Sequence, residues 1–139
     1  MARGASHLGR SVTADTTVVP DKLEVRVEQQ ADCTVLYLDG EIDTYVAPRV
    51  RECLADMWAR TSTPLVIIDL SRVTFCDAAG LRTLLFALKI MEMAGRRLVL
   101  SGVGERMALL MRVSGVLDAF EIHDSVEHVL FADADIRPR

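Results

Sequence analysis

Residues 65–81, LVIIDLSRVTFCDAAGL, decide the fold together with the helical pattern that follows them. The segment opens with LVIIDL, a nearly continuous apolar run of the kind that is buried on both faces of a parallel sheet. After it, leucine and methionine recur at steps of three and four, at positions 81, 84, 85, 88 and 91. This spacing predicts an amphipathic helix that stops before Gly95. We therefore expect a central strand, a junction loop at residues 74–81, and a helix packed on the sheet.

The segments on either side extend this strand and helix into a regular alternation. Residues 23–28 alternate apolar and charged side chains, and residues 33–38 follow after a short link, which predicts an antiparallel hairpin. A helix is expected from Asp43 onward, with Asp43 or Thr44 as its cap. Strands at 97–101 and 119–122 and helices at 105–113 and 125–131 complete the order β, β, α, β, α, β, α, β, α.

This order predicts one α/β domain with a mostly parallel sheet, an antiparallel N-terminal edge hairpin, and helices packed on the sheet. We place the domain at residues 21–131. Residues 1–20 and 132–139 mix small, polar and proline residues without strand or helix period, so we expect flexible tails there.

Composition excludes several function classes. The chain has 139 residues, half of them apolar, and a formal net charge of −4, so it has no overall attraction for nucleic acid or an anionic membrane. It contains no apolar run near the roughly 20 residues that cross a bilayer and no secretory signal. Its three cysteines lack zinc-site spacing, and we expect reduced thiols in a cytoplasmic protein.

No motif for catalysis, metal binding or a cofactor is present. The sequence lacks a nucleophile elbow, a phosphate loop and a two-histidine zinc motif. His123 and His128 are five residues apart, which does not place them on one helix face. Gly102 and Gly104 resemble a dinucleotide loop, but Met107 takes the place of the third glycine, so we interpret them as a tight turn. We therefore expect neither an enzyme nor a bound cofactor or metal.

Two features of the sequence, Asp77 and a basic stretch, each allow a structural and a partner-binding interpretation. Asp77 lies where the central strand meets the helix, and it can accept N–H groups of Ala79 or Gly80 as a cap or contact a partner at the carboxyl end of the sheet. Between Arg82 and Arg112 there are six basic and two acidic residues. That stretch is either a docking face for an acidic partner or solvated helix surface.

Three segments together resemble the STAS domain family, whose type members are bacterial anti-sigma factor antagonists. They are G-E-I-D at 40–43, D-x-x-G-L at 77–81, and the glycine-rich pattern that runs from Ser101 to Ile122. Each is weak alone, but their order and spacing are specific, and the resemblance covers roughly residues 22–131. It implies a small protein that binds an anti-sigma factor of the serine kinase type, usually with a GHKL-type kinase domain, and so frees a sigma factor.

In the family, a serine or threonine directly after the junction aspartate is phosphorylated to break the complex. Here that phosphoacceptor position is Ala78, which carries no hydroxyl. The resemblance therefore implies an antagonist that is not switched by phosphorylation at this position. Ser71, Thr74 and Thr83 are nearby hydroxyls outside the family position. The partner-binding residues implied by the family motifs are Glu41, Asp43, Thr44, Asp77, Ala78, Ala79, Gly80 and Leu81.

Other roles found in the family are the alternatives to an anti-sigma factor antagonist. Some STAS domains are scaffold subunits of signalling complexes or of lipid-transport ATP-driven (ABC) complexes, and nucleotide binding is a third possibility for which the chain has no phosphate loop. For the leading role we expect no nucleic acid and no membrane as partner, and a monomer or weak homodimer.

Overall fold

The structure is a computed structural model that describes residues 13–19, 23–30 and 32–136. Its six strands form one sheet in the order β1-β2-β3-β4-β5-β6. The strands are β1 (Thr13–Val19), β2 (Leu23–Gln29), β3 (Cys33–Ile42), β4 (Leu65–Cys76), β5 (Arg97–Ser101) and β6 (Glu121–His123). The helices are α1 (Ala47–Arg60), α2 (Ala78–Met93), α3 (Glu105–Val113) and α4 (Val126–Ile136), with a 3-10 turn at Leu117–Ala119.

The expected α/β architecture with a mixed sheet is confirmed. β1, β2 and β3 are antiparallel neighbours, whereas β3, β4, β5 and β6 run parallel and are linked by α1, α2 and α3. β4 is central, and its first six residues are all buried, as the apolar run predicts.

The tails and the edge hairpin differ from the sequence-based expectation. Residues 13–19 form β1, which covers the outer side of β2, so the predicted hairpin lies inside the sheet. Backbone hydrogen bonds alone can add such an edge strand, and they leave no alternating pattern in the sequence. Residues 132–136 continue α4, where alternating alanines favour helix. The other residues of both expected tails, 1–12, 20 and 137–139, lie outside the described residues.

Two apolar cores hold the layers together. α1, α2 and α3 cover one face of the sheet, where Leu54, Leu84 and Met111 pack against alternate residues of β3, β4 and β5. α4 covers the other face through Val126 and Val129. In the described part of the chain, no helix is both long and apolar enough to cross a membrane.

The central strand β4 extends beyond the end of its neighbour β5. β5 pairs with β4 only as far as Asp69 opposite Ser101, whereas β3 stays paired with β4 up to Ile42 opposite Cys76, through two register shifts. The last part of β4 therefore has β3 on one side and an open edge on the other within the described chain. This extension carries the ends of β3 and β4 to the same point.

Candidate functional site

The two family segments meet where β3 and β4 end. Ile42 and Cys76 are paired residues, and the Asp77 N–H donates to the Ile42 carbonyl at 3.3 Å. The G-E-I-D segment and the junction therefore lie side by side, as expected for loops at the carboxyl end of one sheet.

Asp77 joins these two segments through its carboxylate. One oxygen, Oδ1, accepts the Gly80 N–H at 3.0 Å and so caps α2, as the sequence predicts. The other, Oδ2, accepts the Thr44 N–H at 3.0 Å and the Thr44 hydroxyl at 3.2 Å. One side chain thus closes the start of a helix and fixes the neighbouring loop.

These hydrogen bonds also set the charge of the carboxylate. Partial burial raises the pKa of Asp77, but the N–H groups of Gly80, Thr44 and Ala79 and the Thr44 hydroxyl lower it, and the net effect holds the pKa below its usual value. Asp77 is therefore ionised at neutral pH, and its lone pairs are already occupied by groups of the same molecule.

Gly80 allows α2 to approach the end of β3. A Cβ atom at this position would lie 2.3 Å from the Ile42 carbonyl oxygen and 2.8 Å from the Cys76 sulfur, both shorter than real contacts. Because the closest atom belongs to the backbone, a side-chain rotation cannot relieve the clash. The glycine of the D-x-x-G-L motif is thus a packing requirement.

The predicted partner-binding residues divide by exposure. Thr44 and Ala78 are exposed, and Glu41, Asp43 and Asp77 are half-buried. Ala79, Gly80 and Leu81 are buried, with Leu81 in the main core. These three residues pack the first turn of α2 against the sheet, and the other five members of the set keep some solvent exposure.

Asp43 stabilises the entry to α1, which begins later than expected. The helix starts at Ala47, because residues 44–46 form a turn and Thr44 donates its N–H to Asp77. Asp43 Oδ1 accepts the Val46 N–H at 3.1 Å. Its role is therefore local capping of this turn, in addition to any contact with a partner.

Two exposed aromatic side chains flank the site and escaped the sequence interpretation. Tyr45 follows Thr44 and is 73% exposed, and Phe75 precedes Cys76 and is 49% exposed. Neither residue belongs to a clear helical or strand pattern, so its exposure is not indicated by the sequence. Large aromatic side chains left in solvent beside a fixed loop are typical anchors of protein interfaces.

A groove lies next to the junction. It runs between the open edge of β4 and the start of α3. It has a volume of about 530 Å³ and is lined by Leu70, Val73, Thr74, Phe75, Cys76, Gly104, Glu105, Arg106 and Met107. Burial raises the pKa of the Cys76 thiol to about 12, with a further contribution from Asp77, so this thiol stays protonated at neutral pH.

The other hydroxyls near the junction are committed elsewhere. Ser71 donates to Asp69 at 2.6 Å, Thr74 donates to the Gly40 carbonyl at 3.2 Å, and Thr83 is fully buried and donates to the Ala79 carbonyl. Ser71 and Thr74 are exposed but precede the first turn of α2.

The described residues offer no metal site, since no group of three or more histidine, cysteine or carboxylate side chains converges among them. The Gly102 turn has the left-handed backbone expected of a tight turn, with φ +68, and it presses against Ser71.

Comparison with known proteins agrees with this geometry. The sequence model of the STAS domain matches residues 24–129. An anti-sigma-B factor antagonist of Listeria monocytogenes is 33% identical over 95 residues, which cover 68% of this chain and 82% of the relative.

Two solved structures share the fold. An anti-sigma factor antagonist from Mycobacterium paratuberculosis is 26% identical with a TM-score of 0.67, and the match covers 84% of this chain and 97% of that one. The anti-sigma factor antagonist SpoIIAA in its unphosphorylated form is 16% identical with a TM-score of 0.65, over 91% of this chain and 100% of that one. With the paired loops, the capped α2 and the mixed sheet in place, this chain belongs to the STAS domain family.

Proposed function

We propose that this protein is an anti-sigma factor antagonist, which binds an anti-sigma factor with a GHKL-type serine kinase domain and thereby releases a sigma factor. The observation that carries the proposal is the exposed Ala78 at the start of α2, beside Asp77, which caps the helix and holds the Thr44 loop. The proposal is supported by the relatives at 26% and 33% identity, which are anti-sigma factor antagonists by name.

The physical character of the surface suits docking. The Asp77 hydrogen bonds hold both loops in place before a partner arrives, which lowers the entropy lost on binding. Tyr45, next to Thr44, and Phe75, next to Cys76, add exposed aromatic area close to the two loops. A rigid polar centre with aromatic anchors favours a binding module over an enzyme.

Ala78 determines how this module is controlled. A phosphate at position 78 would add about −1.5 to −2 charges beside the ionised Asp77, which would repel a partner that buries this turn. Alanine cannot accept a phosphate, and its side chain is exposed. The protein is therefore held in the unmodified, binding-competent form, and its control acts at a step other than phosphorylation of residue 78.

A direct binding experiment tests this function. The anti-sigma factors with kinase domains from the source organism are purified and titrated one at a time by calorimetry with the wild type, Ala78→Glu and Ala119→Glu. Ala119 is an exposed alanine in the 3-10 turn and controls for added charge. We expect Ala78→Glu to raise Kd about tenfold to a hundredfold and Ala119→Glu to leave it within about twofold.

If none of these factors binds the protein, the proposal is contradicted, and the alternative role as a scaffold subunit remains. Equal effects of the two substitutions would place the interface elsewhere. As a second readout, Ala78→Ser incubated with the binding factor and labelled ATP should incorporate phosphate, whereas the wild type should not.

Two finer properties accompany the proposal. We place the protein in the cytoplasm, where its partner acts, and as a monomer or weak homodimer without nucleic acid or membrane as partner. Sedimentation at micromolar concentration tests the oligomeric state, and a tight dimer would contradict it.

A further inference from the structure

We propose that the partner presents an acidic surface to α2, with at least one aspartate or glutamate side chain directly opposite Arg82. This rests on the proposed function, because it concerns the partner that covers Ala78.

The position of Arg82 relative to Ala78 is the first step. The two residues are four apart on α2, so they are neighbours on the same helix face with Cβ atoms about 5–6 Å apart. Side chains on a helix lean toward its N-terminus, which directs Arg82 toward the turn that contains Ala78. Both residues are exposed. A partner that buries Ala78 therefore also removes water from Arg82.

Arg82 belongs to a group of cations that we call the α2 basic stripe: Arg51, Arg82 and Lys89. All three are exposed, and none forms an ion pair with another described residue. Arg51 reaches the stripe from α1, because its guanidinium lies 4.9 Å from the centre of the Phe86 ring on α2. These charges are available to a partner.

The acidic groups close to Ala78 and Arg82 are engaged within the molecule, and Glu92, the acidic residue of α2, lies near Lys89 at the far end of the helix. On α1, Glu52 pairs with Arg49 at 3.5 Å and Asp56 pairs with Arg60 at 2.7 Å. The first turn of α2 contains no acidic residue. Asp77 directs its oxygens to Gly80 and Thr44. On the other side of the groove, the opposite charges of the adjacent residues Glu105 and Arg106 leave no net charge.

Energetics then determine what the partner must offer. Burying an arginine without a counter-charge carries a large desolvation penalty, which would cancel much of the gain from covering Ala78 and the aromatic side chains. A carboxylate removes this cost and can bind the guanidinium through two parallel hydrogen bonds. A phosphate at position 78 would compete for Arg82 and repel the same carboxylate.

The test uses the anti-sigma factor that binds the wild type in the screen above. Its affinity is measured at about 0.1 M salt, where charges interact over roughly 10 Å, for Arg82→Glu, Arg82→Lys and Arg112→Glu. Arg112 is the matched control, because it is exposed on α3 and has no ion pair among the described residues. We expect Arg82→Glu to raise Kd by more than about tenfold, Arg82→Lys to restore most of the affinity, and Arg112→Glu to stay within about twofold.

Each other outcome overturns the inference in a distinguishable way. If Ala78→Glu weakens binding and Arg82→Glu does not, the acidic surface is wrong and the proposed function stands. Equal losses for Arg82→Glu and Arg112→Glu would indicate a general charge effect. Binding of the wild type to phosphatidylglycerol vesicles or single-stranded RNA that is lost in Arg82→Glu would assign the stripe to a polyanion. If no factor binds, or Ala78→Glu has no effect, the proposed function falls and the inference falls with it.

Discussion

The junction and the Thr44 loop beside it form a site with two halves, which meet in space and differ in physical character. The inner half, Ala79, Gly80 and Leu81, is buried, and Gly80 has no room for a single added carbon. The outer half, Thr44, Tyr45 and Ala78, is exposed. Asp77 connects the two halves, because one of its oxygens caps the inner turn and the other holds Thr44.

This difference shows that a short family motif can serve two separate requirements. The inner half fixes where the backbone lies, so substitutions there should change the free energy of unfolding. The outer half lies in solvent, where the proposed partner would contact it, so substitutions there should change affinity more than stability. Graded measurements of stability across the junction test this division.

The largest loss of stability is expected from Gly80→Ala. The added Cβ would overlap the Ile42 carbonyl oxygen, and α2 would have to move away from β3. We expect the free energy of unfolding to fall by about 2–4 kcal/mol, even though alanine is the better helix former. Chemical denaturation followed by circular dichroism measures this change.

Gly104→Ala is the control for this substitution. A Cβ at Gly104 meets nothing within 4 Å and its φ is −76, so only the poorer capping of α3 by alanine should cost stability, about 1 kcal/mol or less. Equal losses at the two glycines would show that the inner half is not tightly packed.

The next effect is expected from Asp77→Ala, which removes the acceptor for Gly80 and Thr44. We expect a loss of about 1–2 kcal/mol in the free energy of unfolding at pH 7. Asp77→Asn is the matched control, because an amide oxygen can still cap the helix, and it should lose less. If Asp77→Ala were neutral, Asp77 would not connect the two halves.

The same carboxylate predicts a pH dependence. The folded-state pKa of Asp77 is lowered, so its contribution is fully present above the unfolded pKa of about 3.9 and is lost as the pH falls through the folded value. The stability difference between the wild type and Asp77→Asn should therefore shrink when denaturation is measured below about pH 4. A difference that grows on acidification would contradict this assignment.

A smaller effect is expected from Thr44→Val, which keeps the shape and the backbone N–H but removes the hydroxyl that donates to Asp77. An exposed hydrogen bond of this kind contributes about 0.5–1 kcal/mol. Thermal unfolding measures this loss, and Thr74→Val is the control, because it removes another exposed hydroxyl that donates to a backbone carbonyl and not to Asp77. A loss above 2 kcal/mol would move Thr44 from the outer half to the inner half.

The smallest effect is expected from Ala78→Ser. The position is exposed at the first helical residue of α2, where serine and alanine differ by less than about 0.5 kcal/mol. Denaturation midpoints of the two proteins should coincide. A marked loss would mean that Ala78 packs against the molecule, which would remove the basis of the comparison.

Much of this arrangement could be predicted from sequence because it depends on local patterns. The run at β4 and the leucine spacing of α2 identify a buried strand and an amphipathic helix, and Asp77 occupies the cap position between them. The neighbouring position of G-E-I-D follows from parallel strand order, and the register of β3 with β4 confirms it.

The remaining features depend on contacts between distant segments. β1 forms through backbone pairing with β2 and has no apolar alternation to reveal it. Thr44 donates to Asp77, which is 33 residues away, so α1 begins later than its capping pattern suggests. The motif also did not reveal that Leu81 is buried whereas Tyr45 is exposed, because burial depends on the packed sheet beneath them.

The exposure of Ala78 has a consequence for how such proteins diverge. Alanine and serine codons differ by one nucleotide, and at a solvent-facing position the exchange leaves the fold intact. Under the proposed function, in which a hydroxyl at this position would place partner binding under kinase control, a lineage can gain or lose that control in a single mutational step, and gene duplicates can separate into a constitutive and a regulated copy without any compensating change in their cores.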